Sequence, residues 1–368
     1  MPLRILIAAG GTGGHIFPAI ALGEALAAHH PETRFDYLCG ERPLERELYA
    51  SQGIEPIVFP ARQLGTGLVS RAAGLWAAAA NTWRAWRLVR SGGYDVVIGM
   101  GGYVTGPAVL GAVLARRATA VHESNSVPGK TNLMLAPLVD LSAVHFAATG
   151  GRWRARRTER VGMPLRAGIF GADRAEAIRH FGLDPARRTL LVIGGSQGAR
   201  FLYETLMTGL PQLDTPAHAD LQVLWSTGTA NLEMLSARLR AAAPRHISVR
   251  LEPFIHRMDL ALAAADLAVA RAGASTGAEL VSCGITTLFI PYPHAIHDHQ
   301  TANAREFVAA GAGEMFGERE LTPELFAGTI TRMLAATPAG HRFTPREDLD
   351  SRGAARTLAR LLHELPGR

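Results

Sequence analysis

Cysteine is almost missing from this sequence: Cys39 and Cys283 are the only two in 368 residues, and they lie far apart. That excludes a disulfide framework and reads as two reduced thiols. Lysine is nearly absent too, Lys130 standing alone, so arginine carries the basic charge. Long apolar runs are lacking. No window of about 18 residues is free of charge and turn residues, so no membrane-spanning helix is expected. Met1-Pro2-Leu3-Arg4 passes straight into an apolar strand, without the core and cleavage site of a secretory signal. The chain is therefore expected in the cytoplasm, with a peripheral place on the membrane still open. What is present is a globular composition, 48% hydrophobic and 19% charged, with length for two domains of about 100–200 residues each. An excess of 38 basic over 32 acidic residues gives +6, which suits an anionic partner. Charge alone does not choose among nucleic acid, a nucleotide and an acidic membrane surface.

The dominant pattern is a short apolar run, a glycine turn, then a helical stretch. Residues 4–9 predict a first strand, followed by Gly10-Gly11-Thr12-Gly13-Gly14 and a helix over 17–28. Residues 35–39, 54–59, 96–99 and 119–122 predict further strands. The pattern restarts after 160–163, with strands over 189–193, 222–226, 248–251, 268–270 and 287–290. Short apolar runs alternating with helices indicate an α/β protein whose parallel sheets are covered on both faces. Two such halves predict two Rossmann-like doubly wound domains facing a cleft, residues 1–162 and 163–344. An amphipathic helix over 354–365, in the segment 345–368, is expected to return to the first domain.

Four glycine turns recur at strand ends: Gly10 to Gly14, Gly101 to Gly106, Gly194 to Gly198 and Gly273 to Gly277. Glycine lets the backbone approach a ligand closely, and a helix N-terminus presents amide donors with partial positive charge. A single such turn is often only a tight turn; four at the carboxyl ends of parallel strands point to phosphate binding. Other signatures fit worse. The dinucleotide fingerprint lacks its third glycine after Gly11-Thr12-Gly13, and Glu41 is a weak ribose ligand. No Gly-Lys-Ser/Thr follows any glycine loop. Gly194-Gly195-Ser196-Gln197-Gly198 matches a nucleophile elbow, for which Asp259 or Asp266 with His294, His297 or His299 would be partners.

Several polar residues fall where such turns bind ligands. His15, on the first turn, is placed to stay neutral and accept a proton, or else to cap the helix or bond a phosphate. His122-Glu123-Ser124-Asn125 follows a strand, with Asn132 further on; the alternative is a loop of capping residues. Glu279 suits ribose hydroxyls, and the amides of Ala274, Ser275 and Thr276 suit a phosphate. The segment His294-Ala295-Ile296-His297-Asp298-His299 holds possible zinc ligands without a second group elsewhere. Asp348-Leu349-Asp350 reads as surface charge. Between 64 and 90, Leu68, Val69, Leu75, Trp76, Trp83, Trp86 and Leu88 alternate with Arg71, Arg84, Arg87 and Arg90. That suits either an interfacial membrane surface or a helix packed on the sheet with its arginines in solvent.

As an ordered set the motifs resemble one family. They are Gly10-Gly11-Thr12-Gly13-Gly14-His15-Ile16-Phe17-Pro18-Ala19, Gly101-Gly102-Tyr103-Val104-Thr105-Gly106-Pro107, His122-Glu123 with Asn125 and Asn132, Gly194-Gly195-Ser196-Gln197-Gly198-Ala199, and Arg271 to Glu279 with Gln300 and Asn303. The set resembles the MurG family of glycosyltransferase family 28, over residues 4 to about 310. The resemblance implies a GT-B fold and an inverting transfer of N-acetylglucosamine. The donor would be UDP-N-acetylglucosamine and the acceptor the muramyl C4 hydroxyl of undecaprenyl-pyrophosphoryl-N-acetylmuramyl-pentapeptide. It implies no cofactor and no metal for the chemistry. It also implies an anionic membrane surface on the cytoplasmic face as partner, and no nucleic acid. Donor contacts would come from Ile255 to uracil, Glu279 to ribose, and Ser196 with Ala274, Ser275, Thr276, Gly277 and Ala278 around the diphosphate. Arg166, Thr12, Gly13, Gly14, Asn125 and Gln300 would reach towards the nucleotide sugar. Gly102, Tyr103, His122 and Asn132 would face the acceptor, with His15 as base and Glu123 or His122 in support. Ser124 and Met163 depart from the family pattern, where glutamine and asparagine are expected. A UDP-N-acetylglucosamine epimerase, a glycolipid synthase or a non-catalytic nucleotide-sugar binder are the alternatives.

Overall fold

The computed structural model of the chain describes residues 2–60, 68–194 and 200–365, with no side chains described for 68–75 and 150–152. It divides into two compact units, Met1–Ala167 with Ser351–Arg368, and Gly168–Asp350.

The first unit contains β1 (Arg4–Ala9), α1 (Gly13–His29), β2 (Arg34–Cys39), α2 (Pro43–Ala50), β3 (Ile57–Val58), α3 (Leu68–Ser91), β4 (Val96–Gly101), α4 (Thr105–Leu114), β5 (Ala118–Glu123), α5 (Lys130–Leu135), β6 (Leu141–Val144) and β7 (Thr158–Arg160). The second contains α6 (Arg174–Phe181), β8 (Arg188–Ile193), α7 (Arg200–Leu213), β9 (Leu221–Ser226), α8 (Leu232–Ala242), β10 (Ser248–Glu252), α9 (Met258–Ala264), β11 (Leu267–Ala270), α10 (Ala274–Ser282), β12 (Thr286–Phe289), α11 (His299–Ala309), β13 (Gly313–Met315) and α12 (Pro323–Ala336). The last helix, α13 (Ala354–His363), lies in the first unit again.

Both sheets are parallel and doubly wound. Their strand orders are β3-β2-β1-β4-β5-β6-β7 and β10-β9-β8-β11-β12-β13. The winding reverses between β1 and β4, and between β8 and β11. At such a switch point the connections leave on opposite faces and a crevice opens at the carboxyl edge. The glycine turns after β1, β4 and β11 lie at these two places.

Alternation along β1 builds the first core. Ile5, Ile7 and Ala9 pack with α1 and α13 on one face, while Leu6 and Ala8 pack with α3 and α4 on the other. Leu358, Leu361 and Leu362 of α13 are buried there. Each such side chain contributes about 1.5–3 kcal/mol, which anchors the returning helix. His363 adds a stacked contact with His30 at 3.8 Å and a hydrogen bond with Thr33 Oγ1 at 3.0 Å. In the second unit Leu190, Val192 and Val269 pack beneath α7 and α12.

Differences from the sequence reading have local causes. The chain leaves the first unit after Ala167, not 162, and rejoins it at Ser351. Met163 is fully buried and its N–H donates to Ser351 Oγ at 3.1 Å, so the returning chain holds this stretch. Helix α1 starts at Gly13, ahead of the expected 17, because packing at the turn outweighs the poor helix propensity of glycine. Strand β3 shrinks to Ile57–Val58, and β7 ends at Arg160. Two strands, β6 and the edge strand β13, escape the pattern reading because they are short and carry Ser142 and Glu314.

Candidate functional site

In the first unit the turns after β1 and β4 are pressed backbone to backbone. The Gly10 N–H donates to the Gly101 carbonyl at 3.2 Å. Gly102 has φ +84°, and a β-carbon there would lie 2.2 Å from the Gly10 carbonyl oxygen. Only glycine fits such a contact. Thr12 caps α1 with its backbone, and its carbonyl accepts from the His15 and Ile16 amides. The amides of Gly13 and Gly14, at the helix start, have no residue one turn back to donate to. Open amides at a helix start are of the kind that meets an anion.

His15 sits in that first turn, half-buried. Its Nδ1 is 3.1 Å from the Gly10 carbonyl oxygen. A carbonyl can only accept, so Nδ1 carries the proton and Nε2 is the basic nitrogen. The tautomer needed by a general base is thus set by the turn itself. Arg166 lies on the same side of this unit: its guanidinium stacks 4.8 Å over the Phe17 ring, and Gln52 accepts from it at 3.3 Å. The Phe17 ring in turn lies 3.1 Å from where a Gly13 β-carbon would be.

The residues at the end of β5 behave differently from expectation. His122 is 1% exposed; its Nε2 donates to the Gly162 carbonyl at 2.9 Å, and Ser124 Oγ lies 3.4 Å from Nδ1. Burial lowers its pKa, so it is a neutral internal strut and offers nothing to an acceptor. Glu123 is buried and accepts from Asn125 N–H at 2.9 Å, Asn125 Nδ2 at 3.3 Å, Gly129 N–H at 3.0 Å and Asn132 Nδ2 at 2.9 Å. Asn132, also buried, donates as well to the His122 carbonyl at 3.2 Å. These three organise the loop behind β5 and do not point a group outward. Asn125 remains half-buried at the strand end, with its carbonyl accepting from Thr149 Oγ1 at 3.1 Å.

Sequence reasoning missed Glu45, on the first turn of α2. It is fully buried, and its carboxylate accepts from Gly11 N–H at 2.8 Å, Gly40 N–H at 2.6 Å and the Tyr103 hydroxyl at 2.8 Å. The Tyr103 hydroxyl is therefore given to Glu45, and Arg42 stacks 5.1 Å over its ring. Nothing local marks Glu45: a glutamate after Pro43 reads as a solvated helix start.

In the second unit Gly273 caps α10, and the amides of Ala274, Ser275 and Thr276 form its open N-terminal turn. Glu279 follows, half-buried. Gly277 and Ala278 lie apart from these open amides. Gly277 donates within the helix to Gly273, and a β-carbon on it would meet Phe307 of α11 at 2.0 Å; Ala278 is 0% exposed. Both are packing positions, on the inner side of the helix. Ile255 buries its side chain, leaving only its backbone to meet a base. Gln300 accepts from the Tyr292 N–H at 3.0 Å, which braces the 291–300 loop, and Asn303 Nδ2 donates to the Ala272 carbonyl at 3.2 Å. Arg271 closes this edge, donating to the Ile290 and Pro291 carbonyls and to Glu318. Ser196 and the rest of its turn beyond Gly194 lie outside the described residues.

The rival motifs dissolve in three dimensions. Asp266 precedes β11 and holds Thr189 N–H, Arg174 and Gly340 N–H, so it sits at the amino edge of the sheet, opposite any elbow after β8. Among the described residues, the one set of metal-type ligands within 4.8 Å of each other is His30, Glu32 and His363. The 294–299 histidines do not gather, and the His30 and His363 rings stack in near-parallel planes. Asp348 pairs with Arg346 at the surface.

The chain matches the Glycosyltransferase family 28 N-terminal domain over residues 5–143 and the C-terminal domain over residues 189–348. A relative from Anaeromyxobacter sp. (strain Fw109-5) is named UDP-N-acetylglucosamine--N-acetylmuramyl-(pentapeptide) pyrophosphoryl-undecaprenol N-acetylglucosamine transferase. It is 36% identical over 365 residues, covering 99% of this chain and 93% of the relative. Among solved structures, Acinetobacter baumannii MurG superposes with a TM-score of 0.74 at 26% identity, covering 99% of this chain and 100% of that one. UDP-GlcNAc 2-epimerase from Neisseria meningitidis, solved with UDP-GlcNAc, has a TM-score of 0.68 over 98% of this chain and 100% of its own, at 9% identity. That likeness is one of fold alone.

Proposed function

The chain belongs to glycosyltransferase family 28, and on that premise we propose that His15 is the general base of an inverting N-acetylglucosamine transfer. Its fold is GT-B, with two doubly wound parallel-sheet units, and it is a UDP-sugar glycosyltransferase of peptidoglycan synthesis. The donor is UDP-N-acetylglucosamine and the acceptor the muramyl C4 hydroxyl of undecaprenyl-pyrophosphoryl-N-acetylmuramyl-pentapeptide.

The observation that carries this reading is the His15 tautomer beside the open α1 terminus. Nε2 takes the proton from the C4 hydroxyl as its oxygen attacks the anomeric carbon. The bond to UDP breaks on the opposite face, which inverts the centre. Charge growing on the leaving diphosphate is met by helix-terminal amides, a stabilisation that acts without a metal. The Ala274, Ser275 and Thr276 amides suit the donor diphosphate and Glu279 the ribose. Gly102, with Tyr103, suits the acceptor diphosphate, while Thr12, Gly13, Gly14 and Arg166 suit the nucleotide sugar. Glu123, His122 and Asn132 act as supports for the loop that carries Asn125.

A membrane-facing surface fits the same reading. Trp76 is 77% exposed on α3, Arg87 stacks 5.0 Å over Trp83, and Met134 on α5 is 74% exposed. No helix among the described residues is long and apolar enough to cross a membrane. Exposed tryptophan and arginine suit the interface of an anionic cytoplasmic leaflet.

The test offers UDP-N-acetylglucosamine with and without the lipid-linked muramyl acceptor. Acceptor-dependent UDP release is expected. Equal release without acceptor, or an epimerised sugar, would overturn the transfer in favour of the epimerase chemistry.

A further inference from the structure

We propose that Glu45 is a positioning residue that tunes the basicity of His15 through one peptide group. The proposal rests on the reading of His15 as the base. The Gly11 N–H and the Gly10 carbonyl belong to the same peptide unit. No peptide among the described residues is cis, so they point to opposite sides of it. On one side the Glu45 carboxylate accepts the Gly11 N–H at 2.8 Å. On the other the Gly10 carbonyl accepts the His15 Nδ1–H at 3.1 Å. The result is a carboxylate–peptide–imidazole series, comparable in logic to an acid holding a catalytic histidine, with an amide interposed.

The physical effect follows from polarisation. A charged acceptor on the N–H shifts electron density to the carbonyl oxygen, and hydrogen bonds in series strengthen one another by roughly 10–30% each. A stronger carbonyl acceptor favours the Nδ1–H tautomer and, more so, the imidazolium formed once Nε2 has taken a proton. The peptide is clamped for this role, because the Gly10 N–H is held by Gly101 and Gly102 covers the Gly10 carbonyl. A fully buried carboxylate is costly unless its oxygens are satisfied. Here three donors meet them, and two of those donors come from backbone amides.

Around Glu45 stand Tyr103 and Arg42, and Cys39 with Arg46 and Tyr49. Burial pushes the Cys39 thiol up to about 12 and raises both tyrosines, so all three stay neutral in the working range. Facing His15 from β5 is His122, kept neutral by burial. Glu45 is thus an anionic side chain in direct hydrogen-bond series with His15.

The test labels histidine with ¹⁵N and follows the His15 ring in the ligand-free protein, assigned by its loss in His15→Asn. In Glu45→Gln the His15 pKa is expected to fall by roughly half a unit, with the acid limb of kcat/KM moving the same way. Tyr103→Phe removes a competing donor from the same carboxylate oxygen, so it is expected to raise the His15 pKa. Glu45→Asp keeps the charge at a longer reach and serves where the glutamine variant fails to fold; a smaller fall is expected. A folded variant with an unmoved His15 titration overturns the coupling, whatever its activity. A shifted titration in a protein whose His15→Ala form still turns over leaves the coupling standing and removes His15 as the base.

Discussion

The Cδ2 atom of His15 lies 2.4 Å from the place a β-carbon on Gly101 would take. Gly101 also has φ +123°, a conformation side chains rarely adopt. The second glycine turn therefore forms the wall against which the imidazole rests. Gly101→Ala must push the ring aside. The expected result is a loss of kcat on the order of 10²-fold, as for small misplacements of a catalytic group. Steady-state turnover with both substrates saturating reads it, and an unchanged kcat would show that the ring position does not matter.

His15→Ala should lower kcat by about 10²–10⁴-fold, the usual contribution of a positioned base. Binding of UDP-N-acetylglucosamine, measured by calorimetry on the same variant, should stay near wild type. Turnover within a few-fold of wild type would remove the base assignment.

Glu279→Ala addresses the other unit. Loss of hydrogen bonds between a carboxylate and the ribose should raise KM for the donor by about 10- to 100-fold. The value of kcat should change little, because the ribose is bound alike before and during reaction. A fall in kcat at unchanged KM would place Glu279 elsewhere.

Acid should weaken the first unit in particular. His122 and His145 are buried on β5 and just beyond β6, and burial lowers both pKa values, His145 to about 3. In the unfolded chain both protonate near 6.5. Stability is then complete above pH 6.5 and declines as pH falls from there through the folded values. Each group takes up a proton on unfolding, worth about 1.4 kcal/mol per pH unit. Urea melts at pH 7.5 and 5.0 read the difference, and His145→Leu should flatten it. Equal midpoints at both pH values would contradict the buried neutral state.

On the proposed reading, in which helix-terminal amides meet the diphosphate charge, metal removal should leave the reaction intact. Turnover after chelation with excess EDTA is expected to match the untreated enzyme. A loss of more than about tenfold, restored by a divalent cation, would assign the charge stabilisation to a metal instead.

Part of this fold is legible in the chain itself. Strand β1 was bounded to the residue, because an unbroken apolar run stops at a glycine pair. The turn at Gly273 could be placed on a helix start for the same reason. Gly277 and Ala278 fall with the open amides when residues 271–279 are read as one block. Helical periodicity puts them on the inner side, but only Phe307, thirty residues on, makes that side crowded. Strand β6 exists because β5 and β7 flank it, which no local signal in Leu141–Val144 conveys.

Sequence alone determined the family, the alternation that builds two parallel sheets, and the glycine turns at the strand ends. These depend on neighbours along the chain and on the steric freedom of glycine. Tertiary structure alone decided which polar side chains are spent inward. His122, Glu123, Asn132 and Glu45 look like ligands or solvent residues in one dimension, yet each is buried and bonded to groups from elsewhere in the fold. A side chain's hydrogen-bond partners are set by what the folded backbone brings within about 3 Å, and that distance is not written in the order of residues.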